Sequence, residues 1–257
     1  MASRSAHSAS FDELVAEGDA VPTEGWDFSW FEGRATEERP PWGYASLMAE
    51  RLTRVASALD IQTGGGEVLA TVATAPSLLA ATDSWLPNIA IARRNLARLG
   101  ATVVEVADDA PLPFDDETFE LVVSRHPTVT LWNEIARVLQ PGGSYLSQQV
   151  GAGSNHELSV ALMGPFEANP LRTPTAAVDA ATAAGLEVVE LREHSCRVTF
   201  DDIAGVVYFL RKVIWTVPGF SVDRYGKQLR ALHDRIVSEG PFVAHSQRFL
   251  IEARKPA

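Results

Sequence analysis

Gly64-Gly65-Gly66 follow a short apolar run, Val55 to Ile61, that carries a carboxylate at Asp60. Glycine has no Cβ, so the backbone of such a loop can approach a ligand closely. A strand that ends in a glycine loop and leads into a helix is the usual seat of a nucleotide in an open α/β sheet. A second apolar run, Ser77 to Thr82, ends at Asp83. An ionised carboxylate only accepts hydrogen bonds, which suits Asp83 to the two hydroxyls of a ribose. A tight turn would also use the glycines, and a helix N-cap would also use the aspartate. Taken singly, these residue types leave both readings open.

The elements around them narrow the choice. Leu47, Leu52 and Val55 recur at helical spacing between Tyr44 and Ser57, ahead of a first strand through Leu59 and Ile61. A short helix is expected from Glu67 to Ala73, stopped by Pro76. A second helix starts near Pro87, carries Ile89, Ile91, Leu96 and Leu99, and stops at Gly100. Strands are expected at 101–106, 119–124 and 144–150, with an amphipathic helix over 130–140 closed by Pro141-Gly142-Gly143. A helix over 175–184, a strand over 186–190, helical spacing over 200–215 and 222–238, and a closing strand over 242–252 complete the chain. The closing strand is expected to pair with 186–190. Alternating strands and helices imply right-handed crossovers and a parallel sheet. The fold class is α/β: a Rossmann-like, doubly wound, mostly parallel seven-stranded sheet, with an N-terminal cap and a helical insertion before the last strand. Residues 1–10 read as a disordered tail, 11–57 as a cap region whose stretch 11–45 is irregular and rich in proline and aromatics, and 58–257 as one domain with its insertion at about 200–238.

Composition bounds the function classes. The 257 residues carry a net charge of −11, which repels a phosphate backbone unless basic residues cluster. Nucleic acid is therefore disfavoured as a partner. Arg93, Arg94 and Arg98 read as the solvated face of one helix. Cys196 is the single cysteine, so an internal disulfide and a thiolate metal cluster are excluded, and a reducing cytoplasm is the expected location. Neither a secretory signal nor a membrane-spanning apolar run is legible. His7, His126, His156, His194, His233 and His245 are scattered, so no metal site is expected.

In this order the segments resemble the class I S-adenosylmethionine-dependent methyltransferases of the type 11 group. The resemblance runs from about residue 45 to 255 and is strongest from Leu59 to Gly143. It is carried by Leu59-Asp60-Ile61-Gln62-Thr63-Gly64-Gly65-Gly66, by Asp83, and by Ala107-Asp108-Asp109-Ala110-Pro111-Leu112-Pro113-Phe114. Phe119 to Ser124 and Arg137-Val138-Leu139-Gln140-Pro141-Gly142-Gly143 complete it. It implies S-adenosylmethionine as cofactor, bound by Asp60, Gln62, Thr63, Gly64, Gly66, Asp83, Ser84, Trp85, Ala107, Asp108, Asp109, Arg125 and His126. Gln62 departs from the family pattern, which has glycine there. A dinucleotide-binding fingerprint fits less well, because leucine stands where its third glycine would be.

The resemblance places His126 beside the methyl group, as a candidate general base or as a cofactor contact. Trp132, Gln148 and Gln149 could face the same pocket, although the helix carrying Trp132 needs an apolar face. The acceptor would be held by Trp30, Arg34, Trp42 and Tyr44 of the cap and by Tyr208, Arg211 and Trp215 of the insertion. An aromatic lining suits a small, partly apolar acceptor. Arg125-His126-Pro127-Thr128 lacks the Asn/Asp-Pro-Pro-aromatic signature of base amino-methylation, and Cys196 is misplaced for base C5 chemistry. The leading expectation is methyl transfer to oxygen or nitrogen of a small molecule. Its rivals are a ribosomal RNA base methyltransferase and a domain that binds the cofactor without catalysis.

Overall fold

The computed structural model describes residues 9–23, 28–167 and 169–257. Expectations for residues 1–8 of the tail, His7 and Trp26 fall outside them. The strands are β1 (Ala35–Glu37), β2 (Ser57–Ile61), β3 (Leu78–Asp83), β4 (Thr102–Glu105), β5 (Phe119–Arg125), β6 (Leu139–Val150), β7 (Glu187–Phe200) and β8 (Phe242–Arg254). The helices are α1 (Phe11–Ala20), α2 (Tyr44–Leu52), α3 (Leu86–Leu96), α4 (Trp132–Val138), α5 (His156–Met163), α6 (Pro174–Ala183), α7 (Ile203–Lys212) and α8 (Val222–Glu239).

The chain divides into two compact units. The larger comprises Arg39–Ala152, Asn169–Ser195 and Gln247–Ala257. Its strands follow the hydrogen-bonded order β7-β8-β6-β5-β2-β3-β4. The pairs β2–β3, β2–β5, β3–β4 and β5–β6 are parallel, and β8 runs antiparallel to β6. This is an α/β fold built on a mostly parallel sheet. Residues 57–60 of β2 and 79–83 of β3 are all buried, as expected of central strands covered on both faces. On one face Met48 and Leu52 of α2 pack with Ile89, Ala92 and Leu96 of α3. On the other, Ile135 and Val138 of α4 pack with Phe119, Val122 and Tyr145. After β2 the chain builds outward through β3 and β4, then returns to the opposite side of β2 as β5. The topological switch point therefore lies between the carboxyl ends of β2 and β5, where open α/β sheets place their ligands.

The smaller unit consists of the described residues of Met1–Glu38, Gly153–Ala168 and Cys196–Ser246. In it β1 pairs antiparallel with the end of β7 through Ala35↔Phe200 and Glu37↔Val198. Its core joins Val15 of α1, Leu158 and Leu162 of α5, Val206, Val207 and Leu210 of α7, and Leu229, Leu232 and Ile236 of α8.

Several expectations need correction. Residues 11–20, read as irregular, form α1, opened by a capping box in which Ser10 and Glu13 each bind the other's backbone N–H. The helix expected over 67–73 is only a 3-10 turn, Leu69–Thr71. The strand expected over 186–190 is the 14-residue β7. Helix α5 was not anticipated, and Leu139–Gln140 lie in β6 rather than in the preceding helix. Among the described residues, no helix is long and apolar enough to cross a membrane.

Candidate cofactor and acceptor site

The loop after β2 is fixed by its own backbone and by Asp83. Thr63 N–H donates to Thr82 O at 2.8 Å, and Gly66 N–H to Thr63 O at 3.1 Å. Asp83 Oδ2 accepts from Gly64 N–H at 2.8 Å, while Oδ1 accepts from Trp85 N–H and from Asn88 Nδ2, each at 3.0 Å. A carboxylate offers about four acceptor sites; three are taken by protein, which leaves one for a ligand hydroxyl. Gly66 has φ +74°, and a Cβ there would meet the Leu96 side chain at 2.8 Å. Gly66→Ala is expected to lower stability by about 2 kcal/mol, from left-handed strain together with the displaced leucine. A melting curve tests it, and a variant that melts with the wild type would show the loop to be plastic.

At the far end of the loop Asp60 is 6% exposed and accepts from Thr63 Oγ1 at 2.6 Å. Burial, opposed by that hydrogen bond and reinforced by the Asp83 charge, raises its pKa to about 7. Tyr44, at the start of α2, is buried, and its Oη has no hydrogen-bond partner. Burial and then the nearby Asp60 charge push the phenol well above its ordinary pKa. A carboxylate that burial makes costly, beside an orphaned hydroxyl, fits a ligand that brings its own charged groups, such as the ammonium and carboxylate of an amino acid.

Gln62 has φ +55°, a left-handed conformation uncommon for a residue with a side chain. Its Nε2 donates to Val129 O at 2.7 Å, and its Oε1 accepts from Thr128 N–H at 2.6 Å and from Thr128 Oγ1 at 3.0 Å. Thr128 Oγ1 also lies 2.5 Å from Asp108 Oδ2. One side chain thus laces the loop after β2 to the loop after β5, across the switch point. Beneath it lies a narrow cleft lined by Ile61, Val106, Ala107, Asp108, Leu112, Pro127, Val129 and Leu131. Leu112 is set there by Glu134, which accepts the Leu112 N–H at 2.7 Å and is itself paired with Arg137.

The end of β5 carries His126, at φ +57°, with its N–H donating to Gln148 O at 2.7 Å. Burial, then Arg125 and Arg248, holds the imidazole well below its usual pKa. Trp42 is buried, and its Nε1 donates to Gln148 Oε1 at 2.8 Å. Ser124 Oγ lies 2.7 Å from Tyr145 Oη and 2.9 Å from Ser147 Oγ, a closed buried triad at the floor of the cleft.

The larger unit therefore gathers Asp60, Gln62, Thr63, Gly64, Asp83, Trp85, Asp108 and His126 around the strand ends, with Trp42 and Tyr44 packed beside them. Trp132 packs in the core, its ring 5.4 Å from that of Tyr145. In the smaller unit Trp30 and Tyr208 pack on one another at 4.9 Å, and Trp215 is 48% exposed. Arg34 pairs with Asp202 and Glu17, and Arg211 donates to Gly18 O and Val21 O. Asn88, Thr128 and Tyr145 escaped the sequence reading. For Asn88 the available signal was a polar residue on the apolar face of α3.

Residues 59–147 match the family model described as a methyltransferase domain. Over that stretch, about a third of the chain, the protein is similar to methyltransferase domains. A malonyl-[acyl-carrier protein] O-methyltransferase from Marinomonas sp. (strain MWYL1) is 27% identical over 166 residues, 60% of this chain and 62% of that protein. The match thus spans less than two thirds of that relative. Among solved structures, the YcgJ protein of Bacillus subtilis superposes with a TM-score of 0.62 at 17% identity, over 83% of this chain and 98% of its own. A functionally unknown protein from Deinococcus radiodurans R1 also reaches 0.62 at 17% identity, over 95% and 98%. At these identities the two structures speak for the fold.

Proposed function

We propose that the protein transfers a methyl group from S-adenosylmethionine to oxygen or nitrogen of a small-molecule acceptor. The observation that carries the reading is the pairing of Asp83, with one acceptor site free, and the orphaned Tyr44 Oη beside Asp60. Asp83 would hold the ribose, Ala107 and Asp108 the adenine, and Tyr44 with Asp60 the amino-acid end. When bound, the cofactor supplies a methyl group activated by a sulfonium. The protein's part is to align the acceptor in line with that methyl and to exclude water, and proximity of this kind can lower a barrier by about 7–11 kcal/mol. Oxygen is the favoured acceptor atom, because the Marinomonas relative is an O-methyltransferase. The net charge of −11 weighs against RNA as acceptor.

Gln62 favours a second reading, binding without turnover, since its side chain spans the switch point. Calorimetric titration of the wild type and Gln62→Gly with S-adenosylmethionine and S-adenosylhomocysteine tests the cofactor that both readings share, and binding by the wild type supports both. S-adenosylhomocysteine formed on one acceptor panel by the glycine variant and not by the wild type would favour the second reading. Binding by the glycine variant alone would make Gln62 a block and overturn both readings of the wild type. Binding by neither protein would overturn the cofactor assignment.

A further inference from the structure

The Trp42–Gln148–His126 chain fixes a proton. An indole Nε1 can only donate, so Gln148 must turn its Oε1 to Trp42, which holds that oxygen at 2.8 Å. Gln148 Nε2 is then left facing His126 Nε2 at 2.9 Å. An amide NH2 is a donor, so His126 Nε2 is the acceptor and the ring proton sits on Nδ1. No described residue is hydrogen-bonded to Nδ1, which leaves that N–H for a ligand. The indole, set in the core beside His194, so determines the tautomer of a histidine at the switch point.

We propose that Trp42 and Gln148 are positioning residues that keep His126 a neutral Nδ1–H donor, and that the acceptor taken by this site is a carboxylate. The inference rests on the methyltransferase reading and deepens it. A histidine whose free ring atom already bears hydrogen, and whose other nitrogen is engaged by an amide, cannot take a proton from an alcohol or an ammonium. Two guanidiniums, Arg125 on β5 and Arg248 on β8, lie close enough to oppose its protonation. The same positive field and the Nδ1–H donor favour an anion. A carboxylate needs no base. Its oxygen lone pair would form the new O–CH3 bond as the methyl–sulfur bond breaks, and the departing sulfur would keep the electron pair of the broken bond. The negative carboxylate and positive sulfonium become a neutral ester and a neutral thioether, with no proton to move.

The test is 1H–15N correlation of the histidine ring nitrogens in the full-length protein, with His126 assigned by its loss in His126→Gln. The wild type is expected to show a neutral Nδ1–H ring at pH 7 and to keep it below the pH at which an ordinary histidine charges. In Gln148→Glu the new carboxylate should raise the imidazolium fraction at pH 6 at least about tenfold. In Trp42→Phe the amide is free to turn, and part of the population should move to Nε2–H. Titration with butyrate should shift the Nδ1 resonance, whereas butyramide at equal concentration should not. An Nε2–H ring or an imidazolium at pH 7 in the wild type, or equal responses to butyrate and butyramide, would overturn the inference. S-adenosylhomocysteine binding is measured on the same samples, and the butyrate titration is run with and without it. A failure to bind the nucleoside sinks the methyltransferase reading and with it the carboxylate as methyl acceptor, leaving the tautomer to stand on its own resonance; binding combined with the wrong tautomer sinks only this inference.

Discussion

Asp60→Asn is expected to flatten the dependence of stability on pH and to stabilise the protein most above neutrality. Folding moves the Asp60 pKa from 3.8 to about 7. Below pH 3.8 the group is neutral in both states. Between the two values the folded chain holds a proton that the unfolded chain has released, so stability falls as pH rises. The slope is about 1.4 kcal/mol per pH unit, and the total is about 4 kcal/mol by pH 7, beyond which this group contributes no further change. Asparagine keeps an oxygen for Thr63 Oγ1 and has nothing to titrate. Denaturant unfolding at pH 4.5, 6 and 8 should show the difference between variant and wild type widening with pH, and parallel curves would mean that Asp60 is not desolvated. The same shift couples to the cofactor. An ammonium beside Asp60 would pull its pKa back down, so binding near pH 6 should release up to one proton. Affinity should then rise by up to about tenfold per pH unit below 7. Calorimetry in two buffers of different ionisation enthalpy reads that proton directly, and Asp60→Asn should abolish it.

What was legible in the sequence was local. β2 and β3 are short apolar runs that end at a loop or a carboxylate, and Pro87 at the start of α3 with Gly100 past its end brackets that helix. The capping box of Ser10 and Glu13 was equally local, but the prolines and aromatics from Pro22 onward gave the whole stretch an irregular look. β7 was cut short for a physical reason. Residues 187–195 are all exposed or half-buried and include Glu187, Glu190, Arg192 and Glu193, the mark of a solvated edge, and buried positions begin only at Cys196. At the site, Asp60, Gln62 and Asp83 announce themselves because each sits at a strand end. The clasp from Gln62 to Thr128 and Asp108, and the chain from Trp42 to His126, join residues 20 to 106 positions apart. No periodicity encodes such pairs. They exist only once β2, β5 and β6 lie side by side, which is why the identity of His126 as a candidate could be read while its protonation could not.

Asp83→Ala should cost both stability and cofactor binding, and the two losses can be separated. The substitution orphans Gly64 N–H, Trp85 N–H and Asn88 Nδ2, the last of them on a buried side chain. Each unsatisfied donor costs about 1–3 kcal/mol when water cannot replace the lost acceptor. A loss of at least about 3 kcal/mol is expected, a fall of roughly 6–12 °C in melting temperature for a chain of this size. Asp83→Asn divides the effect. Its remaining oxygen can still serve Trp85 N–H and Asn88, but its NH2 would face the Gly64 N–H, donor against donor. Stability should therefore fall by less than in the alanine variant, while the loop carrying Gly64 is pushed from its place. Affinity for S-adenosylhomocysteine should drop at least about 100-fold in both variants, because a ribose hydroxyl loses a charged acceptor in each, and the glycine loop loses its anchor. If Asp83→Ala melts with the wild type, the carboxylate is not what holds the loop. If Asp83→Asn binds as tightly as the wild type, the free acceptor site of Asp83 does not face the ribose, and the nucleoside would have to be held chiefly through Asp108 and the cleft beneath Gln62.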